Sequence, residues 1–150
     1  MTRDITSGPV RFTLEVKPIP DRIATVRVFV GAVARQMGCS EEDAEDARLA
    51  ASEACAVAMV GSDAQSGSLS VTAERTDHAV RFTIARRLPQ GSDPGAPGPT
   101  TSDPPPGLAE VVPGGLDVVR ALFADTETVA DSSGAAAVSF GVPATPEIRS

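Results

Sequence analysis

No asparagine, tryptophan or tyrosine occurs among the 150 residues, and lysine occurs once, at Lys17. Without tryptophan or tyrosine and with five phenylalanines, the core must be built mainly from valine, alanine, leucine and isoleucine. Cysteine is scarce too: Cys39 and Cys55 fit no metal-ligand spacing and are too few for a secreted disulfide scaffold, so both are expected to be reduced thiols, with no metal site. Basic residues number 13 against 20 acidic ones, for a net charge of −7. That balance argues against a nucleic-acid surface, which needs a clustered positive footprint, and directs attention to protein partners. No apolar run approaches the roughly 20 residues of a membrane span, and the opening MTRDITSGPV lacks a signal-peptide core, so a cytoplasmic protein without membrane contact is expected.

What is present suits one globular domain over 1–150, since a chain of this length can bury a single core without disulfides or metals. Val10, Phe12, Leu14 and Val16 alternate as on a half-buried strand, which Pro18 and Pro20 stop. From Asp21, a candidate N-cap, the period becomes helical, with Ile23, Val26, Val30, Val33 and Met37 on one stripe. Ser40 followed by Asp43 resembles a capping box, and Glu41, Glu42 and Asp43 sit where the helix dipole favours negative charge, so a second helix is expected to about Gly61. Leu69-Val71-Ala73 and Val80-Phe82-Ile84 read as a hairpin around Arg75-Thr76-Asp77-His78. Residues 88–113 hold eight of the 13 prolines and four glycines, a composition of lid or linker loops. Order is expected to return with GGLDVVRALF, a helix opened by Gly114 and Gly115, and with two strands, TETVA and AAAVSFGV, around Asp131-Ser132-Ser133-Gly134. The order of elements predicts an α/β two-layer sandwich of the α+β kind, with helices on one face of a mixed, mostly antiparallel sheet.

In that order, in DARLAASEACAVAM, in the lid-like position of the loop, and in GGLDVVRAL followed by SSGAAAVSF, the chain resembles the RsbW/SpoIIAB-type anti-sigma factors. These are small serine kinases of the GHKL, or Bergerat-type, histidine-kinase-like ATPase superfamily, and the likeness spans about 10–142. The preference for arginine over lysine and the many alanines fit a GC-rich bacterial genome.

The resemblance implies a nucleotide site, and the residues at its positions are mostly the wrong ones. The family's SEAxxNA helix supplies a glutamate as general base toward a partner's serine and, four residues on, an asparagine that binds Mg²⁺ on ATP. Positions i and i+4 share a helix face and can meet one phosphate. Here the glutamate is Glu53, while the asparagine position is Val57, whose isopropyl group cannot ligate a hard cation. The adenine-binding aspartate falls at Arg86, which only donates hydrogen bonds. The glycines after it fall at Leu88 and Gln90, a second-motif glycine at Pro113, and the threonine after the last turn glycine at Ala135. Gly115 and Gly134 remain as nucleotide-motif remnants. Asp93-Pro94-Gly95 could imitate the lost Asp-x-Gly if the alignment slips, and Arg86 with Arg87 could form a phosphate clamp or simply be solvated strand-end charges. No cofactor is expected; ATP and Mg²⁺ enter only if the chain is an active kinase.

In the family, the sigma factor is held through a surface that includes the first helix and an arginine on it, which TVRVFVGAVARQM places at Arg27. Helical geometry turns Ala24, Val28, Gly31 and Arg35 outward, with Arg27 on the flank. An apolar strip beside arginines suits an interface centre, although isolated exposed apolar residues are common on any protein. The acidic start of the second helix could meet a basic patch on a partner or be a solvated cap. His78 sits in a predicted turn. The resemblance implies an anti-sigma factor, of a kind found in stress-response circuits. It would sequester a sigma factor and be released by a STAS-type anti-anti-sigma protein through mass action, without kinase activity. The alternatives are a divergent serine/threonine kinase that phosphorylates its antagonist, and an adaptor that binds only the antagonist; relatives also dimerise, so a homodimer is a further expectation.

Overall fold

The computed structural model describes residues 10–59, 67–87, 112–130 and 136–145. Alternating side chains give β1, Arg11–Val16, whose Phe12, Leu14 and Val16 turn toward the core while Arg11, Thr13 and Glu15 stay exposed. Val10 precedes the strand and is exposed rather than part of the inward row. Pro20, with its preset φ, starts a 3-10 turn over Pro20–Arg22. Asp21 is therefore already inside a turn and does not cap α1, Ile23–Gln36, whose N-cap position is Arg22 with no side-chain hydrogen bond. The expected stripe holds: Val26, Val30, Val33 and Met37 are buried and Ile23 packs against them.

Gly38 connects the two long helices with φ +98°, a conformation that favours glycine, and its carbonyl accepts from Thr145 N at 3.0 Å. Arg75 donates to Thr145 O at 2.6 Å, tying the end of the hairpin's first strand to the same corner. Ser40 caps α2, Glu41–Ala58: the Asp43 N–H donates to Ser40 Oγ at 3.0 Å, as the capping pattern predicts. The helix ends at Ala58, short of the expected Gly61. Its inner face is nearly all alanine, with Ala44, Ala47, Ala50, Ala51 and Ala54 fully buried.

The hairpin forms as β2, Ser68–Arg75, and β3, Ala79–Arg87, in register Val71↔Ile84 and Ala73↔Phe82, so Arg75 belongs to a strand and not to the turn. The third helix, α3, spans Val112–Leu122 and starts two residues before the glycine pair that was expected to open it. Proline in a first turn sacrifices no hydrogen bond, which is why Pro113 is compatible with that start. Two strands follow, β4, Thr126–Ala130, and β5, Ala136–Pro143. The sheet runs β1-β2-β3-β5-β4, and every described pairing is antiparallel. The expected loop 88–113 lies outside the described residues up to 111, as does the turn 131–134.

Helices α1 and α2 pack on the sheet's inner face, and α3 packs on α2. Phe82, Phe140 and Phe123 stack in the middle of that core, with centroids 5.6 and 5.4 Å apart along the series. Cys39 and Cys55 are buried free thiols, and burial pushes their pKa up to about 11 and about 12. On the opposite face of the sheet, Arg81 bridges Asp125 at 3.0 Å and Glu127 at 2.9 Å. Gly141 leaves the room for that bridge, since a Cβ there would stand 3.0 Å from Asp125 Oδ2.

Candidate functional site

Two regions carry the candidate residues: the seam between α2 and the inner face of β3, and the outer surface of α1 and α2. In the seam, α2 places Glu53 and Val57 one helical turn apart, as the i and i+4 spacing requires. Glu53 is half-buried, whereas Val57 is 3% exposed and belongs to the apolar core. An amide at this position would face packed hydrocarbon.

Strand alternation settles the two arginines at the end of β3. Val80, Phe82, Ile84 and Arg86 point toward the helices, and Arg86 is 5% exposed. Arg87 turns to the opposite face, is exposed, and lies 3.9 Å from Glu15. The two therefore form no joint phosphate clamp, and Arg86 is not the solvated strand-end charge that its position suggested. Its neighbours in register are Leu69 on β2 and, beyond it, Val16 on β1, so a cation closes an otherwise apolar row. Gly115 lies in the first turns of α3. Gly134, Ala135, Leu88, Gln90 and the triplet Asp93-Pro94-Gly95 lie outside the described residues. Among the described residues, no group of three or more His, Cys, Asp or Glu side chains could hold a metal ion.

On the outer surface, Ala24, Arg27 and Val28 are exposed, Val28 by 66%. Gly31 does not join them. It is buried beneath Arg48 from α2, and a Cβ there would stand 2.9 Å from Arg48 Cδ. The wheel of α1 alone turns Gly31 outward; the neighbouring helix covers it. Arg35 is exposed but engaged, donating to Glu41 at 2.7 Å and Glu45 at 3.0 Å, and Glu45 also takes Arg48 at 3.0 Å. The hydrogen bond and charge of Glu41, followed by the charge of Glu45, raise the Arg35 pKa. Glu41 and Glu45 are thus partly spent on α1 rather than presented whole to a partner. The strip divides into a lower half locked by this four-residue network and an upper half, Ala24, Arg27 and Val28, left open.

Leu49 on α2 is 47% exposed and escaped sequence reasoning, because a leucine within an alanine-rich helix reads as core. The signal was available in its spacing: Glu42, Asp46, Leu49 and Glu53 recur at helical intervals on a face that is otherwise charged. His78 is exposed in the turn of the hairpin. No helix among the described residues is long and apolar enough to cross a membrane.

The sequence profile of the family described as histidine kinase-like ATPase domain matches residues 16–138. Among solved structures, the crystal structure of the RsbU and RsbW domains of Rv1364c from Mycobacterium tuberculosis superposes with a TM-score of 0.58 at 17% sequence identity. That match covers 92% of this chain and 34% of that one, so the chain spans about a third of the length of the solved protein. At this identity the likeness is one of fold. No curated protein matches the chain.

Proposed function

From its place in the histidine kinase-like ATPase domain family, to which this chain belongs across residues 16–138, we propose that it is an anti-sigma-type partner-switching protein: it sequesters a sigma factor and gives it up to a STAS-type anti-anti-sigma protein. A fold shared with an RsbW-containing protein supports this choice within a family of many functions. The observation that carries it is the open half of α1. Val28, 66% exposed, sits beside exposed Ala24 and Arg27, while the other face of the same helix is fixed in the core by Val26, Val30 and Val33. A rigid helix presenting an apolar spot and an arginine has the make-up of an interface hot spot, because the arginine adds directional bonds and stem packing at little ordering cost. The site of action would be the bacterial cytoplasm, where sigma factors work.

The test is a binding screen of the purified protein against bacterial sigma factors and STAS-domain proteins, followed by Arg27→Glu and Val28→Asp. The expected result is one sigma partner whose affinity falls by on the order of 100-fold in each variant, with melting temperature nearly unchanged. Undiminished binding by both variants would move the partner surface elsewhere. A STAS partner without any sigma partner would make the chain an adaptor.

A further inference from the structure

We infer that the nucleotide site implied by the family is filled by this chain itself, with the Arg86 side chain as its built-in occupant and Val57 closing the metal position. The inference rests on family membership and on burial, and not on the sigma-factor proposal, so the two fail separately.

Four features of the seam support it. First, the donor set does not fit Mg²⁺-ATP: an arginine offers only N–H donors to an adenine amine that is itself a donor, and valine offers Mg²⁺ no oxygen. Second, both residues are shut away from water, at 5% and 3% exposure, so neither is a surface remnant that a ligand could push aside at no cost. Third, a guanidinium at the end of the apolar row Val16-Leu69 is tolerated only if it is held in the fold, since an unsupported buried charge is strongly destabilising; Arg86 is indeed engaged by the protein. Fourth, the long Arg86 stem stands in register with fully buried Leu69, and α2 contributes small side chains to the same core, with Ala50 and Ala54 fully buried.

Together these make the described part of the seam, at Val57 and Arg86, packed interior. A position that relatives complete with a soluble ligand is completed here by a covalent side chain, present at every nucleotide concentration.

The test has two arms. Calorimetric and thermal-shift titrations of the wild-type protein with Mg²⁺-ATP and with ADP, up to millimolar concentration, should give no saturable heat and no shift in Tm. Arg86→Ala should lower Tm by on the order of 10 °C, through the cavity and the partner groups it strands. Tens of millimolar methylguanidinium should restore part of that loss, and methylammonium should not. Arg86→Met, which keeps the stem and drops the fork, should fall between wild type and Arg86→Ala. Saturable Mg²⁺-ATP binding by the wild type would overturn the inference. So would an Arg86→Ala protein with unchanged Tm, or an Arg86→Met protein no more stable than Arg86→Ala.

Discussion

Restoring the family's amide at position 57 should harm this protein and return no nucleotide binding. Val57 is 3% exposed, so Val57→Asn removes a buried isopropyl group from the core of α2. Losing that burial costs about 1.5 to 2 kcal/mol. An amide placed among apolar neighbours without a hydrogen-bond partner costs a further ~1 to 3 kcal/mol. The side chains are close in size, so no large cavity adds to the sum. A total of about 2.5 to 5 kcal/mol corresponds to a fall in Tm of about 10 °C in a domain of this length. Differential scanning calorimetry with and without Mg²⁺-ATP measures it. Were the restored asparagine to rebuild a site with a Kd near 10 μM, about 1 mM nucleotide would return ~2.7 kcal/mol, most of the loss. A variant as stable as the wild type, or one rescued by Mg²⁺-ATP, would refute the claim that this position is packed interior.

Other perturbations test other parts of the structure. Ser40→Ala removes the cap bond from the Asp43 N–H and should cost about 1 kcal/mol by urea unfolding, with Ser40→Asp close to neutral. Gly31→Ala sets a Cβ 2.9 Å from Arg48 Cδ, so Arg48 must swing off α1. The Arg48 pair with Glu45 is surface-exposed and worth at most about 1 kcal/mol, so a loss well above that would show that the helices themselves are forced apart. Cys39 and Cys55 have folded pKa values raised to about 11 and about 12 from an ordinary 9.0. Between those values the unfolded chain has lost protons that the native one keeps, so stability is fully present below pH 9.0 and falls as pH rises toward 11 and 12. A Cys39→Ala/Cys55→Ala protein should show a shallower decline across that alkaline range in pH-dependent urea melts, and native wild-type thiols should react slowly with a disulfide reagent at pH 8.

Local patterns were enough to place most of the scaffold. The two-residue period of Phe12, Leu14 and Val16, the stripe from Val26 to Met37 and the Ser40 cap are decided by neighbours within one turn or one strand, and all three stand in the structure. On the outer surface of α1, failures came where a second element intervened. Gly31 faces outward on an isolated α1 but is roofed by Arg48 of α2, a packing relation that spacing along α1 cannot express. Arg35 looked available until Glu41 and Glu45 were brought across from α2. Asp21 lost the cap because Pro20 began the turn one residue early. Arg86 is the instructive case: charge argued for solvent, alternation from Val80 through Phe82 and Ile84 argued for the interior, and alternation won. Leu49 shows the reverse, an apolar side chain left outside because its helical neighbours Glu42, Asp46 and Glu53 fix that face toward water or a partner.

The sequestration account stands or falls on partner exchange. The most direct measurement forms the complex of this protein with its sigma factor and titrates in the anti-anti-sigma antagonist without nucleotide, following sigma release by fluorescence anisotropy and antagonist phosphorylation by intact mass. Release that tracks antagonist concentration, unaltered by Mg²⁺-ATP and leaving the antagonist's mass unchanged, is the expected result. Release altered by Mg²⁺-ATP, together with a phosphate gained on the antagonist, would contradict it and make the chain a working kinase.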